Sequence, residues 1–210
     1  MTRELHVIDH PLVQHKLTLL RDKGLSTRGF RALTQEIGAL LAYELMRDAP
    51  LKPVSVETPL GTAQGVELDG KKQVLVTILR AGLGVLDGML HVLPSARVGH
   101  IGLYRDPKLR TAVEYYLKLP GGMAQRDAVV ISSVLATGGS AAAATRRVVE
   151  TGARTVKFAC LIACHEGIER FHDEHPNVPI YTCAIDDSLD ARGFIVPGLG
   201  DVGDRLYGTE

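Results

Sequence analysis

The run Val74-Leu75-Val76-Thr77-Ile78-Leu79, with Gly82 and Gly84 behind it and a helical stretch from Val85 to Leu93, limits this chain more than any other segment. Apolar and β-branched residues in unbroken succession, without polar alternation, read as a strand covered on both faces. Such strands belong to parallel sheets flanked by helices. The same signal recurs downstream. Val98 to Tyr104, Ala128 to Ile131, Thr155 to Ala163 and Pro179 to Ile185 read as strands, and Ser140 to Thr151 and Glu166 to His175 as helices among them. That alternation implies right-handed crossovers and an α/β fold with a mostly parallel sheet. Upstream, Asp9 before His10-Pro11 reads as a capped helix start, and a longer helix follows Ser26-Thr27. Val54 to Glu57 and Gly65 to Leu68 read as short strands around the turn Thr58-Pro59-Leu60-Gly61, and Val113 to Leu119 as one side of an antiparallel arm outside the core. No repeat or linker interrupts the chain, so residues 1–210 are expected to form a single domain.

Charge narrows the partners. Twenty-four basic and twenty-four acidic residues cancel, which argues against a nucleic-acid surface or an acidic tail. The N-terminal MTRELHVIDHP lacks an apolar signal core, and no apolar run approaches the roughly 18 residues of a membrane span. A soluble, cytoplasmic protein is expected. The cysteines Cys160, Cys164 and Cys183 are odd in number and lack zinc-ligand spacing, so they read as reduced and buried.

In an open parallel sheet, ligands bind beyond the carboxyl ends of the strands. That rule selects loops 80–84, 105–112 and 132–140, and the segment after 185. In the third, strand Ala128–Ile131 runs into Ser132-Ser133-Val134-Leu135-Ala136-Thr137-Gly138-Gly139-Ser140 and then a helix. Adjacent glycines let backbone N–H groups approach an anion, the helix start adds unpaired donors, and Thr137 and Ser140 add hydroxyls. Without Gly-Lys-Ser/Thr this is not an NTPase loop. The local residues fit a phosphate cradle and a plain capped helix about equally well. Arg80 and Arg105, each after a strand, read on local residues alone as surface ion-pair partners sooner than as ligand-binding groups, Arg105 with Asp106.

Longer strings separate these alternatives. Leu135-Ala136-Thr137-Gly138-Gly139-Ser140 resembles the PRPP-binding loop of type I phosphoribosyltransferases. Asp9-His10-Pro11-Leu12-Val13-Gln14-His15-Lys16, Ile78-Leu79-Arg80-Ala81-Gly82-Leu83-Gly84, Gly99-His100-Ile101-Gly102-Leu103-Tyr104-Arg105-Asp106-Pro107 and Val196-Pro197-Gly198-Leu199-Gly200-Asp201 resemble the uracil-specific branch, in the order expected. The resemblance implies the type I phosphoribosyltransferase fold with a protruding antiparallel β-arm and a small base-binding hood. It also implies transfer of the phosphoribosyl group of PRPP to uracil, giving UMP and pyrophosphate. By resemblance, Ser132 to Ser140 would bind PRPP, with loop 136–140 on the 5-phosphate, and Arg80 and Arg105 would hold pyrophosphate oxygens. Ile195, Gly200, Asp201 and Val202 would form the uracil site, using backbone donors and acceptors against a neutral lactam. Asp201 would face the ribose or a magnesium ion delivered with PRPP. Family members associate as dimers through an extended arm, for which residues 105–119 fit. Some are activated by GTP, which makes GTP a candidate activator here.

The chain departs from the family where an acid precedes Leu-Ala-Thr-Gly: Ser132-Ser133 brings hydroxyls without charge. Loss of charge-assisted bonds worth roughly 1.5–3 kcal/mol each would slow the reaction about 10- to 100-fold. Two readings follow, a uracil transferase and, as the alternative, a catalytically weakened PRPP- or UMP-binding sensor on the same fold. Phe194 stands where the family often has Tyr, and Cys164-His165-Glu166-Gly167 where it usually has Ala-Pro-Glu-Gly. His6, His10, His15, His91, His172 and His175 are expected to be solvated or packed at the surface, and His100 to be a hydrogen-bonded core residue.

Overall fold

The computed structural model describes residues 3–105 and 112–209, with the side chain of Arg105 outside that description. The opening strand β1 (Leu5–Val7) is followed by α1 (Pro11–Arg21) and α2 (Thr27–Leu45). Pro11 starts α1 as expected, but the cap is His10 rather than Asp9: its Nδ1 accepts from the Leu12 N–H at 3.2 Å. Ser26 caps α2 by accepting from the Gly29 N–H. Next come β2 (Leu51–Thr58) and β3 (Gly61–Leu68), then β4 (Val74–Leu79), α3 (Gly82–Val92), β5 (Arg97–Arg105) and β6 (Ala112–Lys118). The remainder is β7 (Asp127–Ile131), β8 (Val134–Leu135), α4 (Gly139–Glu150), β9 (Thr155–Cys164), α5 (His165–Glu174), β10 (Ile180–Asp186), β11 (Ser188–Leu189), β12 (Ile195–Val196) and α6 (Val202–Tyr207).

The main sheet runs β1-β10-β9-β7-β4-β5-β6, with β8 beside β9. Every pairing in it is parallel except β5 with β6. Burial explains the uninterrupted apolar strands. Leu75, Val129, Ile131 and Leu161 pack with α1, α2 and α3 on one face, while Val74, Val76, Val130 and Phe158 pack with α4 and α5 on the other. Alternate residues of one strand therefore serve two cores, each needing an apolar side chain.

Two expectations shift. Residues 112–118 do not stand outside the core as an arm; they pair with β5 as the antiparallel edge of the main sheet. The separate antiparallel hairpin is β2–β3, paired from Leu51↔Leu68 to Thr58↔Gly61 and with every residue of β3 exposed. Asp106 and Pro107 lie outside the described residues. His172 and His175 are buried rather than at the surface, and His175 Nε2 lies 2.9 Å from the Ala142 carbonyl. The three cysteines are unpaired and buried, and burial pushes the Cys160 thiol up to about 12.

Candidate active site

The strand order places the site. From β4 the chain moves to β5 on one side; the later strands β7, β9 and β10 extend from β4 on the other. The carboxyl ends of β4 and β7 thus flank the topological switch point, where a crevice opens in such sheets. Arg80 follows β4 directly, and Ser132 follows β7.

Beyond β7 the chain is held tightly. The Ser132 N–H donates to the Ala159 carbonyl at 3.0 Å, and Leu161 N–H to the Ser133 carbonyl at 3.0 Å. The Ser132 hydroxyl donates to the Val134 carbonyl, also at 3.0 Å, so in this structure it serves the loop's own backbone. Val134 and Leu135 then pair with Ile162 and Ala163, which makes part of the expected loop a short strand. Gly138 caps α4 at φ 77°, and a Cβ there would sit 2.8 Å from the Gly167 carbonyl. Positive φ and that close approach both demand glycine. The first turn of α4, entered through Gly138 and containing Ser140, offers unpaired N–H groups and the positive end of the helix dipole.

Across the crevice lies the C-terminal hood. Strands β11 and β12 pair antiparallel, and Asp190 closes the turn between them by accepting from the N–H groups of Phe194 and Arg192, both at 2.9 Å. The Phe194 amide, first among its neighbours, holds the Asp190 carboxyl below the usual carboxylate range. Segment 195–201 then turns over β10 through a cis Val196–Pro197 bond and Gly198 at φ 64°. A Cβ on Gly198 would sit 2.0 Å from the Ile195 carbonyl, so the loop is folded tightly on itself.

Between cradle and hood is a cavity of about 260 Å³ lined by Ser133, Val134 and Ala136 on one side and Ile195, Gly200 and Val202 on the other. Phe194 and Asp201 line it too. Three residues of loop 132–140 and all four singled out in the C-terminal loop thus meet at one opening, about sixty positions apart in the chain, while Ser132, Thr137, Gly138, Gly139 and Ser140 are not among its lining. Leu135 instead points into the core at 1% exposure. Asp201 caps α6, its Oδ1 accepting from the Asp204 N–H at 3.0 Å. The Arg80 guanidinium lies 3.7 Å from Asp204 Oδ1 and 5.8 Å from the centre of the Tyr207 ring. The Tyr207 hydroxyl donates to the Arg80 carbonyl at 3.3 Å, and burial foremost, then Asp87, raises its phenol above its ordinary value. Arg80 is thus a half-solvated cation at the mouth beside the Asp201–Asp204 pair. The guanidinium of Arg105 lies outside the described residues.

A larger cavity, about 810 Å³, opens at the amino ends of the strands among Gln73, Ala128, Val156 and Pro179. It lies at the opposite end of the sheet, with no glycine-rich turn among its lining residues. Size alone does not make it the site; the switch point and the helix start favour the smaller one.

Three residues supporting the hood escaped the sequence reading: Arg21, Asp186 and Arg205. Asp186, 6% exposed, receives two hydrogen bonds from Arg21 at 2.7 Å each and one from the Gly198 N–H at 2.9 Å. Arg205 donates to the Leu199 carbonyl at 3.0 Å and stacks on Phe30. The one signal for Asp186 was its place at the carboxyl end of an apolar strand.

Comparison with known proteins agrees with this architecture. The uracil phosphoribosyltransferase family model matches residues 7–209. The chain belongs to the uracil phosphoribosyltransferase family. A protein named uracil phosphoribosyltransferase from Rhodococcus jostii is 58% identical over 98% of this chain and 99% of its own length. One of that name from Legionella pneumophila is 56% identical over 99% of this chain and 97% of its own. Among solved structures, the AQ2163 protein from Aquifex aeolicus superposes with a TM-score of 0.93 at 35% identity, covering 98% of this chain and 99% of that one. An adenine phosphoribosyltransferase from Trypanosoma brucei, at 14% identity and a TM-score of 0.59, shares the fold over 88% of this chain and 84% of its own. Fold class and family therefore stand as the five strings implied.

Proposed function

We propose that the 210 residues act as one phosphoribosyltransferase domain that transfers the phosphoribosyl group of PRPP to uracil, giving UMP and pyrophosphate. The observation that carries this reading is the cavity shared by Ser133, Val134 and Ala136, just ahead of the glycine-capped start of α4, and the loop of Ile195, Gly200 and Val202. Loop 136–140 holds the 5-phosphate on backbone N–H groups, with Thr137 and Ser140 as hydroxyl donors. The ribose then spans toward Ser133. Uracil lies against Ile195, Gly200 and Val202, whose backbone matches its alternating donors and acceptors; among the described residues, no hydrogen bond takes up the N–H or C=O of Gly200.

In the reaction, uracil N1 forms a bond to ribose C1 as the bond from C1 to the pyrophosphate oxygen breaks; the pyrophosphate leaves with that electron pair, and the N1 proton passes to solvent. Negative charge grows on the departing pyrophosphate. Arg80 and Arg105 supply positive charge there, which stabilises the transition state more than the bound substrate.

Among the described residues no group of three or more His, Cys, Asp or Glu side chains could hold a metal. Asp201, capping α6 beside Asp204, instead provides one carboxylate, a protein share that suits magnesium arriving on a substrate pyrophosphate. When bound, the ion would neutralise charge on the leaving group. A cytoplasmic location, assembly as a homodimer or higher homo-oligomer, and activation by GTP are proposed from the resemblance, the last checked by adding GTP to the assay below. A PRPP- or UMP-binding sensor is the second reading, favoured by the uncharged Ser132-Ser133 pair alone.

The test is UMP formation from uracil and PRPP with magnesium, with cytosine and hypoxanthine as controls. Turnover with uracil alone is expected. Tight PRPP or UMP binding without turnover would establish the sensor instead.

A further inference from the structure

The hood's recognition loop is held from behind by a charge pair. Arg21, the last residue of α1, presents a guanidinium fork to both oxygens of Asp186, the last residue of β10. The two side chains are 26% and 6% exposed. A bidentate pair of this kind has one geometry, unlike a lysine–carboxylate contact. Both members then grip the same residue of the loop. Asp186 Oδ2 accepts the Gly198 N–H at 2.9 Å, and Arg21 donates to the Gly198 carbonyl at 2.9 Å. Gly198 rests on the Ile195 carbonyl so closely that no side chain fits between them. The grip on Gly198 is therefore passed directly to Ile195 and, two residues further on, to Gly200. Neither Arg21 nor Asp186 lines the cavity; Arg21 lies along the groove on the other side of the loop, with Pro197 and Leu199.

We propose that Arg21 and Asp186 are positioning residues for base recognition, which set the backbone of the loop against uracil without touching it. The inference rests on the reading of 195–202 as the uracil site. Its physical ground is that a neutral lactam bound by backbone groups can be discriminated only if that backbone is fixed, because small misplacement of a positioned group costs large factors. An ion pair this enclosed is weak evidence of net stabilisation, so a geometric role accounts better for its being buried.

The experiment uses the full-length protein and steady-state UMP synthesis, varying uracil and PRPP separately. Arg21→Lys keeps the charge and loses the fork. It is expected to raise the KM for uracil about 10- to 100-fold while the KM for PRPP stays within about twofold. Arg21→Met combined with Asp186→Asn removes both charges, so the folded state regains thermal stability relative to Arg21→Met alone, yet the KM for uracil stays raised. Gly200→Ala, on the loop itself, is the reference. If Gly200→Ala raises the KM for uracil and Arg21→Lys does not, the positioning role is overturned while the uracil site stands. If neither does, both fall. If the two KM values rise together in Arg21→Lys in step with lost melting temperature, the pair is merely structural and the proposal fails.

Discussion

Position 132 is where a single atom group decides most. The Ser132 hydroxyl is spent on the Val134 carbonyl, and its neighbour Ser133 lines the cavity with no charge to offer a cationic sugar. A carboxylate at 132 accepts hydrogen bonds and cannot donate to that carbonyl. Ser132→Asp is expected to raise kcat/KM about 10- to 100-fold. An unchanged value in the same assay would mean that the missing charge is supplied elsewhere, with Asp201 the carboxylate that lines the cavity. At this scale sequence reasoning found what is local. Gly138-Gly139, Thr137 and Ser140 announce a helix-start cradle because the required features are adjacent. Arg21 and Asp186 were invisible because they lie 165 positions apart and each, read alone, is an ordinary charged residue at an element's end.

Long elements were legible and short ones were not, for a physical reason. Strands β4, β7 and β9 are buried on two faces along most of their length and carry the fact in the apolar run of each. By contrast β1, β8, β12 and α6 span two to six residues and exist because a neighbour completes them: β1 through β10, β8 through β9, and α6 through the Asp201 cap. The hairpin β2–β3 shows the reverse case, legible as strands but misjudged in role, since the arm was sought at 105–119. Its exposed Leu51, Val56, Leu60, Val66 and Leu68 make an isolated two-stranded ribbon with apolar side chains in water, which is marginal by itself. A second copy of this chain is the expected cover. Replacing residues 52–67 by a short glycine linker should convert the proposed homo-oligomer into monomer in sedimentation at micromolar concentration. A wild-type chain already monomeric there would contradict this.

For the whole molecule, two groups far from the cavity contribute to stability in acid. Burial first, and the charge of Arg3 second, lower the His172 pKa from its ordinary 6.5. Between the ordinary and the lowered value, the unfolded chain binds the proton and the folded chain does not. Stability is therefore complete above about 6.5 and declines as pH falls below it. Asp127, lowered first by its Arg154 hydrogen bond, contributes stability present above its ordinary 3.8 and lost as pH falls through its folded value, a separate and more acidic window. Melting temperature followed from neutral pH into the mildly acid range should fall, and His172→Phe should flatten that fall. An identical slope in the variant would remove His172 from the account.

The central claim is that cradle and hood meet around one nucleotide. A structure of the protein with UMP bound tests it most directly. The phosphate is expected at the first turn of α4, on the backbone of residues 137–140, and the uracil ring within hydrogen-bond reach of the backbone of Ile195 and Gly200. UMP seated in the larger cavity at the amino ends of the strands, or bound with its base away from the loop 195–202, would contradict it.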